Sequence, residues 1–99
     1  MELNFEWDPS KAKANLKNHF VSFNEAATVF DDEQGITIFD PDHSESEDRF
    51  ILFGRSAVNR YLMVVHTDRH DMVRIISARE MTENERKGYE KEILRRKGL

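Results

Sequence analysis

Three consecutive stretches in the second half of the chain decide its fold: RFILFGRS (49–56), RYLMVVHT (60–67) and MVRIISAR (72–79). Each is rich in β-branched and aromatic residues, which is typical of strands. The breaks between them span residues 57–59 and 68–71. Connections this short join antiparallel neighbours, so the pattern predicts an antiparallel meander of three strands.

Before the meander, the sequence predicts a short strand followed by a helix. Apolar and polar residues alternate over residues 3–7, which indicates a half-buried strand. Asp8 and Pro9 then suit the N-cap and first position of a helix. We expect one apolar face on this helix, formed by Ala12, Leu16, His19 and Phe20.

A second helix and a short strand follow. Ser22 and Glu25 have the spacing of a capping box, in which each side chain binds a free backbone N–H at the helix start. The helical spacing of the next apolar residues predicts a core-facing stripe of Phe23, Ala26, Ala27 and Phe30. A turn ending at Gly35, a strand over 36–39 and an acidic loop over 40–48 lead into the meander.

After the meander, Thr82 and Glu85 predict a second capping box, which opens a helix that runs to about Lys97. Its few apolar residues are chiefly Tyr89, Ile93 and Leu94. The element order is β-α-α-β-β-β-β-α. It predicts an α+β fold in a single domain over 1–99, with two N-terminal helices and one C-terminal helix packed on one face of a small antiparallel sheet.

Composition narrows the class of protein. A chain of 99 residues is long enough to bury a core without disulfides, and this chain has no cysteine. That composition favours a reducing compartment. The sequence shows neither a secretory signal pattern nor an apolar run of about 20 residues, so we expect a cytoplasmic protein that does not enter a membrane.

Charge is divided unevenly along the chain. Residues 1–48 hold three lysines and twelve acidic residues, a net charge of −9, whereas residues 49–99 carry a net charge of +5. All nine arginines lie in the second half. Arginine matches phosphate and carboxylate oxygens with a planar fork of donors. This uneven distribution of charge fits either a basic surface that binds a polyanion or internal ion pairs between the two halves of the chain.

In a meander the arginines divide by hairpin end. Arg55, Arg60 and Arg79 are expected at one end, and Arg69 and Arg74 at the other. Converging guanidinium groups are unfavourable unless an anion or carboxylates offset them. An RNA phosphate is one candidate, and the carboxylates of Glu47, Asp48 and Glu80 are the structural alternative.

Histidines are candidate proton-transfer groups, because imidazole titrates near neutral pH. His19 and His66 are expected to be structural and His70 solvated. His43 lies in the acidic loop, but the spacing of that loop matches no metal-binding pattern. The sequence also lacks a glycine-rich phosphate loop and a nucleophile elbow, so we expect neither a metal nor a cofactor.

Several segments, in order along nearly the whole chain, resemble the BrnT family of bacterial type II toxins: FEWDPSKAKANLKNH (5–19), VSFNEAATVFDD (21–32), the Asp40–Arg49 run, GRSAVNRYLMVVHT (54–67), RIISAR (74–79) and ERKGYE (85–90). The resemblance implies a RelE-like fold and a ribonuclease toxin that inhibits translation. It also implies neutralisation by a BrnA-like ribbon-helix-helix antitoxin, through which alone the toxin would reach operator DNA.

The resemblance and the arginines together predict a metal-independent endoribonuclease, in which the 2′-hydroxyl of RNA attacks the adjacent phosphate. For charge stabilisation on the phosphate oxygens the candidates are Arg55, Arg69 and Arg79. For proton transfer they are Glu47 or His43. Tyr89 is the candidate for base stacking or proton donation.

Two other functions stay open. Glu80 stands where the family usually has lysine, and Asn18-His19-Phe20 replaces a more basic segment. Both changes remove positive charge, which fits a catalytically weakened antitoxin-binding module that acts as co-repressor. A plain RNA-binding domain is the third possibility, and it predicts binding that weakens steeply with salt.

Overall fold

The structure is a computed structural model that describes residues 3–98, and its elements follow the predicted order. The strands are β1 (Asn4–Glu6), β2 (Ile36–Phe39), β3 (Phe50–Arg55), β4 (Tyr61–Arg69) and β5 (Met72–Glu80). The helices are α1 (Pro9–His19), α2 (Phe23–Thr28) and α3 (Glu83–Arg96), with short 3-10 turns at Val29–Asp31 and Pro41–His43. Within the described residues, no helix has the length and apolarity that a membrane span requires.

The five strands form one sheet in the order β1-β5-β4-β3-β2. The predicted antiparallel meander is confirmed for β3, β4 and β5, and β2 extends it as an antiparallel edge strand. The sheet is mixed, however, because β1 pairs parallel to β5. Parallel neighbours need a long crossover, which here is the whole chain between residues 6 and 72. The alternation over residues 3–7 therefore predicts strand β1 but not the strand with which it pairs.

One face of the sheet carries the core. Alternate residues of the meander point to this face, where α1 and α2 cover them. The buried cluster joins α2, the connecting segments and the sheet, and Ala12 of α1 packs against it. Its members are Val21, Phe23, Ala26, Val29, Leu52, Leu62, Val64, Ile75 and Ala78. The predicted stripe of the second helix is confirmed, since Phe23 and Ala26 are buried and Ala27 and Phe30 pack against them.

Helix α3 does not share that face, contrary to the expectation that all helices pack together. In β4, Leu62 belongs to the core, so its neighbour Tyr61 points to the opposite side. The Tyr89 ring from α3 packs edge-to-face on Tyr61, with 5.9 Å between ring centroids. Helix α3 therefore contacts the second face of the sheet, where it shapes the surface rather than the core.

The predicted apolar face of α1 is wrong beyond Ala12. Leu16 and Phe20 are 51% and 75% exposed, and His19 is also exposed. Phe20 closes the helix as a left-handed C-cap with φ of 57°, which turns its side chain away from the core. The one fully buried residue of the helix is polar, namely Asn15.

The Asn15 amide completes the edge of β5. Strand β1 pairs with β5 only over Met72–Arg74, so the following residues of β5 have no strand neighbour there in the described chain. Asn15 Oδ1 accepts a hydrogen bond from the Ala78 N–H at 3.0 Å, and Asn15 Nδ2 donates to the Ala78 carbonyl at 2.8 Å and the Val21 carbonyl at 2.9 Å. An amide offers the same donor and acceptor as a peptide group, so it replaces a missing strand.

The two predicted capping boxes differ in outcome. Thr82 and Glu85 form both reciprocal hydrogen bonds, as predicted. At α2 only the Ser22 half forms, with Ser22 Oγ accepting from the Glu25 N–H at 3.0 Å. The Glu25 carboxylate instead accepts from the Arg60 guanidinium and the Ser56 hydroxyl. A charge-assisted bond to arginine is stronger than one to a neutral N–H.

His66 is structural, as expected. Its ring lies between Phe30, edge-on at 4.8 Å, and Phe50, stacked at 5.8 Å. Burial lowers the pKa of His66, because the charged imidazolium would lose its hydration there. The ring is therefore held neutral inside the domain.

Replacing Asn15 should destabilise the fold. Asn15→Ala leaves the Ala78 N–H and two buried carbonyls without partners, and we expect a loss of about 2–4 kcal/mol in the free energy of unfolding. Urea titration followed by Trp7 fluorescence measures it. Asn18→Ala, at an exposed position of the same helix, controls for helix propensity. Equal stability of the two variants would contradict the role assigned to Asn15.

Candidate active site

The arginines divide between the two ends of the meander. Arg55 pairs with Tyr61 at the β3–β4 turn, where Arg60 also lies. Arg79 is two strands from Arg55, opposite Met63, and points to the same face. Arg69 lies at the other hairpin, opposite Met72. The grouping of Arg55, Arg60 and Arg79 is therefore confirmed as a matter of position.

Carboxylates neutralise two members of that group. Arg79 forms a bidentate pair with Glu85, at 2.7 and 3.0 Å. Arg60 Nε donates to Glu25 at 2.9 Å, and Arg60 also approaches Glu80 to 3.9 Å. These arginine hydrogen bonds hold the pKa values of Glu25 and Glu85 below the usual value for glutamate, although burial opposes the shift.

The offsetting carboxylates differ from most of those predicted. Glu80 takes part weakly, but the main partners are Glu25 and Glu85, which come from α2 and α3. Glu47 and Asp48 precede β3 and lie at its opposite end. The sequence order of the strands could not show this, because the partners come from helices packed against the strand ends.

Arg55 is different, since no carboxylate among the described residues pairs with its guanidinium. Arg55 Nη2 donates to the Asn59 side-chain oxygen at 3.2 Å. The guanidinium carbon lies 5.2 Å from the centre of the Tyr61 ring, and the residue is exposed. Arg55 is thus a fixed cation with hydrogen-bond donors still available to an anion.

Two shallow pockets meet at Arg55. The first has a volume of about 220 Å³ and is lined by Gln34, Arg55, Tyr61, Tyr89, Glu90, Ile93 and Leu94. The second, of about 290 Å³, is lined by Thr28, Asp31, Asp32, Arg55, Ser56, Ala57 and Asn59. The first offers aromatic rings and one carboxylate, and the second is mainly polar. A chain of nucleotides could occupy both with a phosphate at Arg55.

The Asp32 carboxylate holds this site together. Asp32 Oδ2 accepts from the Tyr89 hydroxyl at 2.7 Å and from the Arg55 backbone N–H at 2.8 Å, and Oδ1 accepts from the Gln34 N–H at 2.9 Å. Burial alone would raise the pKa of Asp32, but these hydrogen bonds and the nearby positive charge of Arg55 outweigh it and lower the pKa below its usual value. The carboxylate is therefore ionised and fully engaged.

Gly54 makes the close approach of Asp32 possible. A Cβ atom at this position would lie 2.8 Å from a methyl carbon of Val29 and 3.0 Å from the carboxylate of Asp32. Any side chain here would push the Asp32 turn away from β3. The glycine before Arg55 thus belongs to the architecture of the site.

Tyr89 contributes its ring to the pocket, while its hydroxyl is committed to Asp32. Burial raises the pKa of Tyr89, and the hydrogen bond and negative charge of Asp32 raise it further. A hydroxyl with this environment is a poor proton donor to a leaving group. Of the two roles predicted for Tyr89, the geometry favours the contribution of the ring.

The structure separates the remaining candidates from Arg55. His43, bonded to Asp40 at 2.8 Å, and Glu47, 3.9 Å from Arg49, lie in the loop before β3. Strand β3 is about 17 Å long at the usual rise per residue, and Arg55 is at its far end. Neither His43 nor Glu47 can act on a phosphate bound by Arg55 in this arrangement. Arg69 lies at their end of the sheet.

Four residues of the site were missed by sequence reasoning. They are Asp32, interpreted as part of a turn, and Tyr61, Arg86 and Glu90. Arg86 lies with its guanidinium carbon 3.9 Å from the centre of the Tyr61 ring. The spacing of Arg86, Tyr89 and Glu90 places them on one side of α3, and this signal could have linked them before the structure was known. Within residues 3–98, no group of three or more histidine and carboxylate side chains is arranged to hold a metal ion.

Comparison with known proteins agrees with this architecture. The family model described as "Ribonuclease toxin, BrnT, of type II toxin-antitoxin system" matches residues 7–85. The chain belongs to the BrnT family. The crystal structure of the ribonuclease toxin BrnT from Brucella abortus is similar in fold, with a TM-score of 0.61 at 15% sequence identity. The match covers 83% of this chain and all of that one. None of the curated proteins compared with the chain matches it.

The family match covers strands β2 to β5 and both N-terminal helices, and it ends near the start of α3. Arg86, Tyr89 and Glu90 lie beyond the matched residues. Family membership therefore describes the chain as a ribonuclease toxin of a type II toxin–antitoxin system, whereas the part of the pocket formed by α3 has to be argued from its own geometry.

Removing the charge of Asp32 should destabilise the domain in a pH-dependent way. Because the folded-state pKa is lowered, the stabilisation is present above the unfolded pKa of about 3.9 and is lost as pH falls through the folded value. We expect Asp32→Asn to lower the free energy of unfolding by about 2 kcal/mol at pH 7, since hydrogen bonds to a charged acceptor are lost.

Thermal melts between pH 7 and pH 3 measure this effect. The difference in melting temperature between the wild type and Asp32→Asn should become smaller below pH 4. Asp31→Asn is the control, because Asp31 is exposed and the described residues supply no partner for its side chain. A difference in melting temperature that stays constant with pH would rule out stabilisation by an ionised Asp32.

Proposed function

We propose that this chain is a metal-independent endoribonuclease toxin that cleaves RNA in the cytoplasm at the Arg55 pocket and thereby inhibits translation. The observation that carries the proposal is the state of Arg55. At this end of the sheet Arg60 and Arg79 are paired with carboxylates, whereas Arg55 has no such partner in the described chain and lines two pockets. Its free donors suit a phosphate.

Arg55 would stabilise the charge that grows on the phosphate oxygens as the 2′-hydroxyl attacks. Its backbone is held by Asp32, and its guanidinium by Asn59 and the Tyr61 ring. A donor held in place before the reaction needs little reorganisation in the transition state, which is the main source of such stabilisation. Arg79 would act only by holding Glu85 and the start of α3, since its guanidinium is already paired.

Glu90 is the carboxylate that the pocket offers for proton transfer. It lines the same pocket as Arg55, and it accepts a hydrogen bond from Arg86 Nε at 3.2 Å. A carboxylate in reach of the 2′-hydroxyl can accept its proton while the oxygen attacks phosphorus. The bond from phosphorus to the 5′-oxygen then breaks, which leaves a 2′,3′-cyclic phosphate and a 5′-hydroxyl that takes its proton from water. We propose this role for Glu90 in preference to His43 or Glu47, because those residues lie a full strand length from Arg55.

The partner that this proposal requires is a BrnA-like ribbon-helix-helix antitoxin. Type II systems pair a toxin with a protein antitoxin, and membership of the family supports such a partner for this chain. Contact with operator DNA would run through the antitoxin. Co-expression should therefore relieve the growth arrest that the toxin causes when expressed alone.

Truncating Arg55 should abolish most of the activity. Arg55→Ala should lower the rate of RNA cleavage by about 10²–10³-fold, the usual effect of losing one donor to a developing oxyanion. Arg55→Lys should recover only part of the rate, because it keeps the charge without the planar fork. Cleavage of a labelled RNA oligonucleotide in the presence of EDTA measures both.

Lys17→Ala is the charge-matched control for Arg55, because it removes one exposed cation from α1, on the opposite side of the sheet. It should cleave RNA at the wild-type rate. A fully active, folded Arg55→Ala protein would refute the assignment of Arg55.

Neutralising Glu90 should reduce kcat with little change in KM. General base catalysis contributes about 10²–10⁴ to rates, so Glu90→Gln is expected to lose about 10² or more in kcat. Glu83→Gln is the matched control, since Glu83 is an exposed glutamate of the same helix that pairs with Lys87. Unchanged kcat in Glu90→Gln would leave the base to be found elsewhere.

A second candidate function is an antitoxin-binding module without ribonuclease activity. The neutralised state of Arg60 and Arg79 favours it, because it removes two of three cations from this end of the sheet. The two functions give opposite results on expression of the chain alone. Growth arrest that requires Arg55 supports the ribonuclease, and harmless expression with tight antitoxin binding supports the module.

A further inference from the structure

Arg86 is stacked on the ring of Tyr61. Its guanidinium carbon lies 3.9 Å from the ring centre, within the range of a strong cation–π contact. One helical turn later, Glu90 accepts a hydrogen bond from Arg86 Nε at 3.2 Å. Two contacts in different directions thus hold the guanidinium group over the ring.

The layer beneath Arg86 is rigid. The Tyr61 ring lies in β4 and is supported edge-on by Tyr89, whose hydroxyl is bonded to Asp32. The Arg86 side chain above it is 51% exposed. Arg55 lies against the same Tyr61 ring at 5.2 Å, so the stack is directly beside the cation that we assign to the phosphate.

A guanidinium group has the shape and size to stack on a nucleobase, and proteins that bind single-stranded RNA stack bases on aromatic rings and arginine planes alike. We propose that the Tyr61–Arg86 stack is a platform for one unpaired base of the nucleotide next to the phosphate held by Arg55. This inference rests on the proposed ribonuclease function. It names single-stranded RNA as the substrate class, since a base inside a duplex is already stacked on its neighbours.

The platform has a specific kinetic consequence. Stacking holds substrate and transition state equally, so removing the stacked base from the substrate raises KM and leaves kcat nearly unchanged. Because Arg86 also donates a hydrogen bond to Glu90, the Arg86 variants are compared by KM. Arg86 is therefore a positioning residue, in contrast to Arg55 and Glu90. Because every base has a π face, the platform should tolerate all four bases at that position.

The test combines Arg86 variants with abasic substrates. A labelled single-stranded RNA oligonucleotide is compared with versions that lack one base at each position flanking the cleaved bond. In the wild type, removal of the stacked base should raise KM about 5- to 150-fold, the range expected for the loss of one stacked base. Arg86→Ala should show the same increase with intact RNA and no further increase with the abasic RNA.

Two variants separate stacking from charge. Arg86→Lys keeps the charge but lacks the plane, so it should behave like Arg86→Ala; wild-type KM in this variant would overturn the platform. Lys87→Ala, the adjacent exposed cation of α3, should match the wild type with both substrates. An equal abasic penalty in the wild type and in Arg86→Ala would also overturn the inference.

Binding of a non-cleavable 2′-O-methyl oligonucleotide, followed by fluorescence anisotropy, distinguishes this failure from failure of the proposed function. A base-dependent affinity that requires Arg86, in a chain that cleaves no RNA, would support the platform and refute the ribonuclease. Cleavage that requires Arg55 but is indifferent to Arg86 would refute the platform and leave the ribonuclease standing.

Discussion

The carboxylate of Asp32 is the interaction on which the candidate site depends. Its three hydrogen bonds come from its own turn, from the backbone of β3 at Arg55 and from the hydroxyl of Tyr89 in α3. Strand β2 begins only at Ile36, so Asp32 takes the place beside the end of β3 that a longer edge strand would fill. Helix α3 makes few other contacts with the sheet. This carboxylate, together with the Arg79–Glu85 pair at the start of α3, therefore places the aromatic wall of the pocket and the Arg86 stack.

Pairing of charges then decides which cation is left for an anion. The acidic first half supplies Glu25 to Arg60, and the capping box of α3 supplies Glu85 to Arg79. Both arginines thereby become parts of the structure that hold helices to strand ends. The two explanations considered for the uneven charge therefore coexist, because internal ion pairs account for two arginines and leave Arg55 exposed beside two pockets.

The residues that match the family and the residues of the pocket only partly coincide, because the match ends before most of α3. Residues 7–85 match the BrnT family and include strands β2 to β5, Asp32 and Arg55. The remaining wall of the pocket comes from α3, whose residues beyond 85 lie outside that match. Helix α3 is attached to the rest of the domain mainly through Tyr89 and the bidentate Arg79–Glu85 pair. The substrate contacts proposed for Arg86 and Glu90 therefore lie beyond the matched residues.

The sequence by itself determined the meander, the helix starts at Asp8, Ser22 and Thr82, and the division of arginines by hairpin end, because these depend on periodicity and short connections. It also carried the resemblance to the family. The tertiary structure alone decided the parallel pairing of β1, the placement of α3 on the second face and the burial of Asn15, which join residues far apart in the chain. It decided the candidate site as well, since whether an arginine is free or paired depends on which carboxylate lies against it in the folded chain. The alternation of residues along a strand does not predict that neighbour.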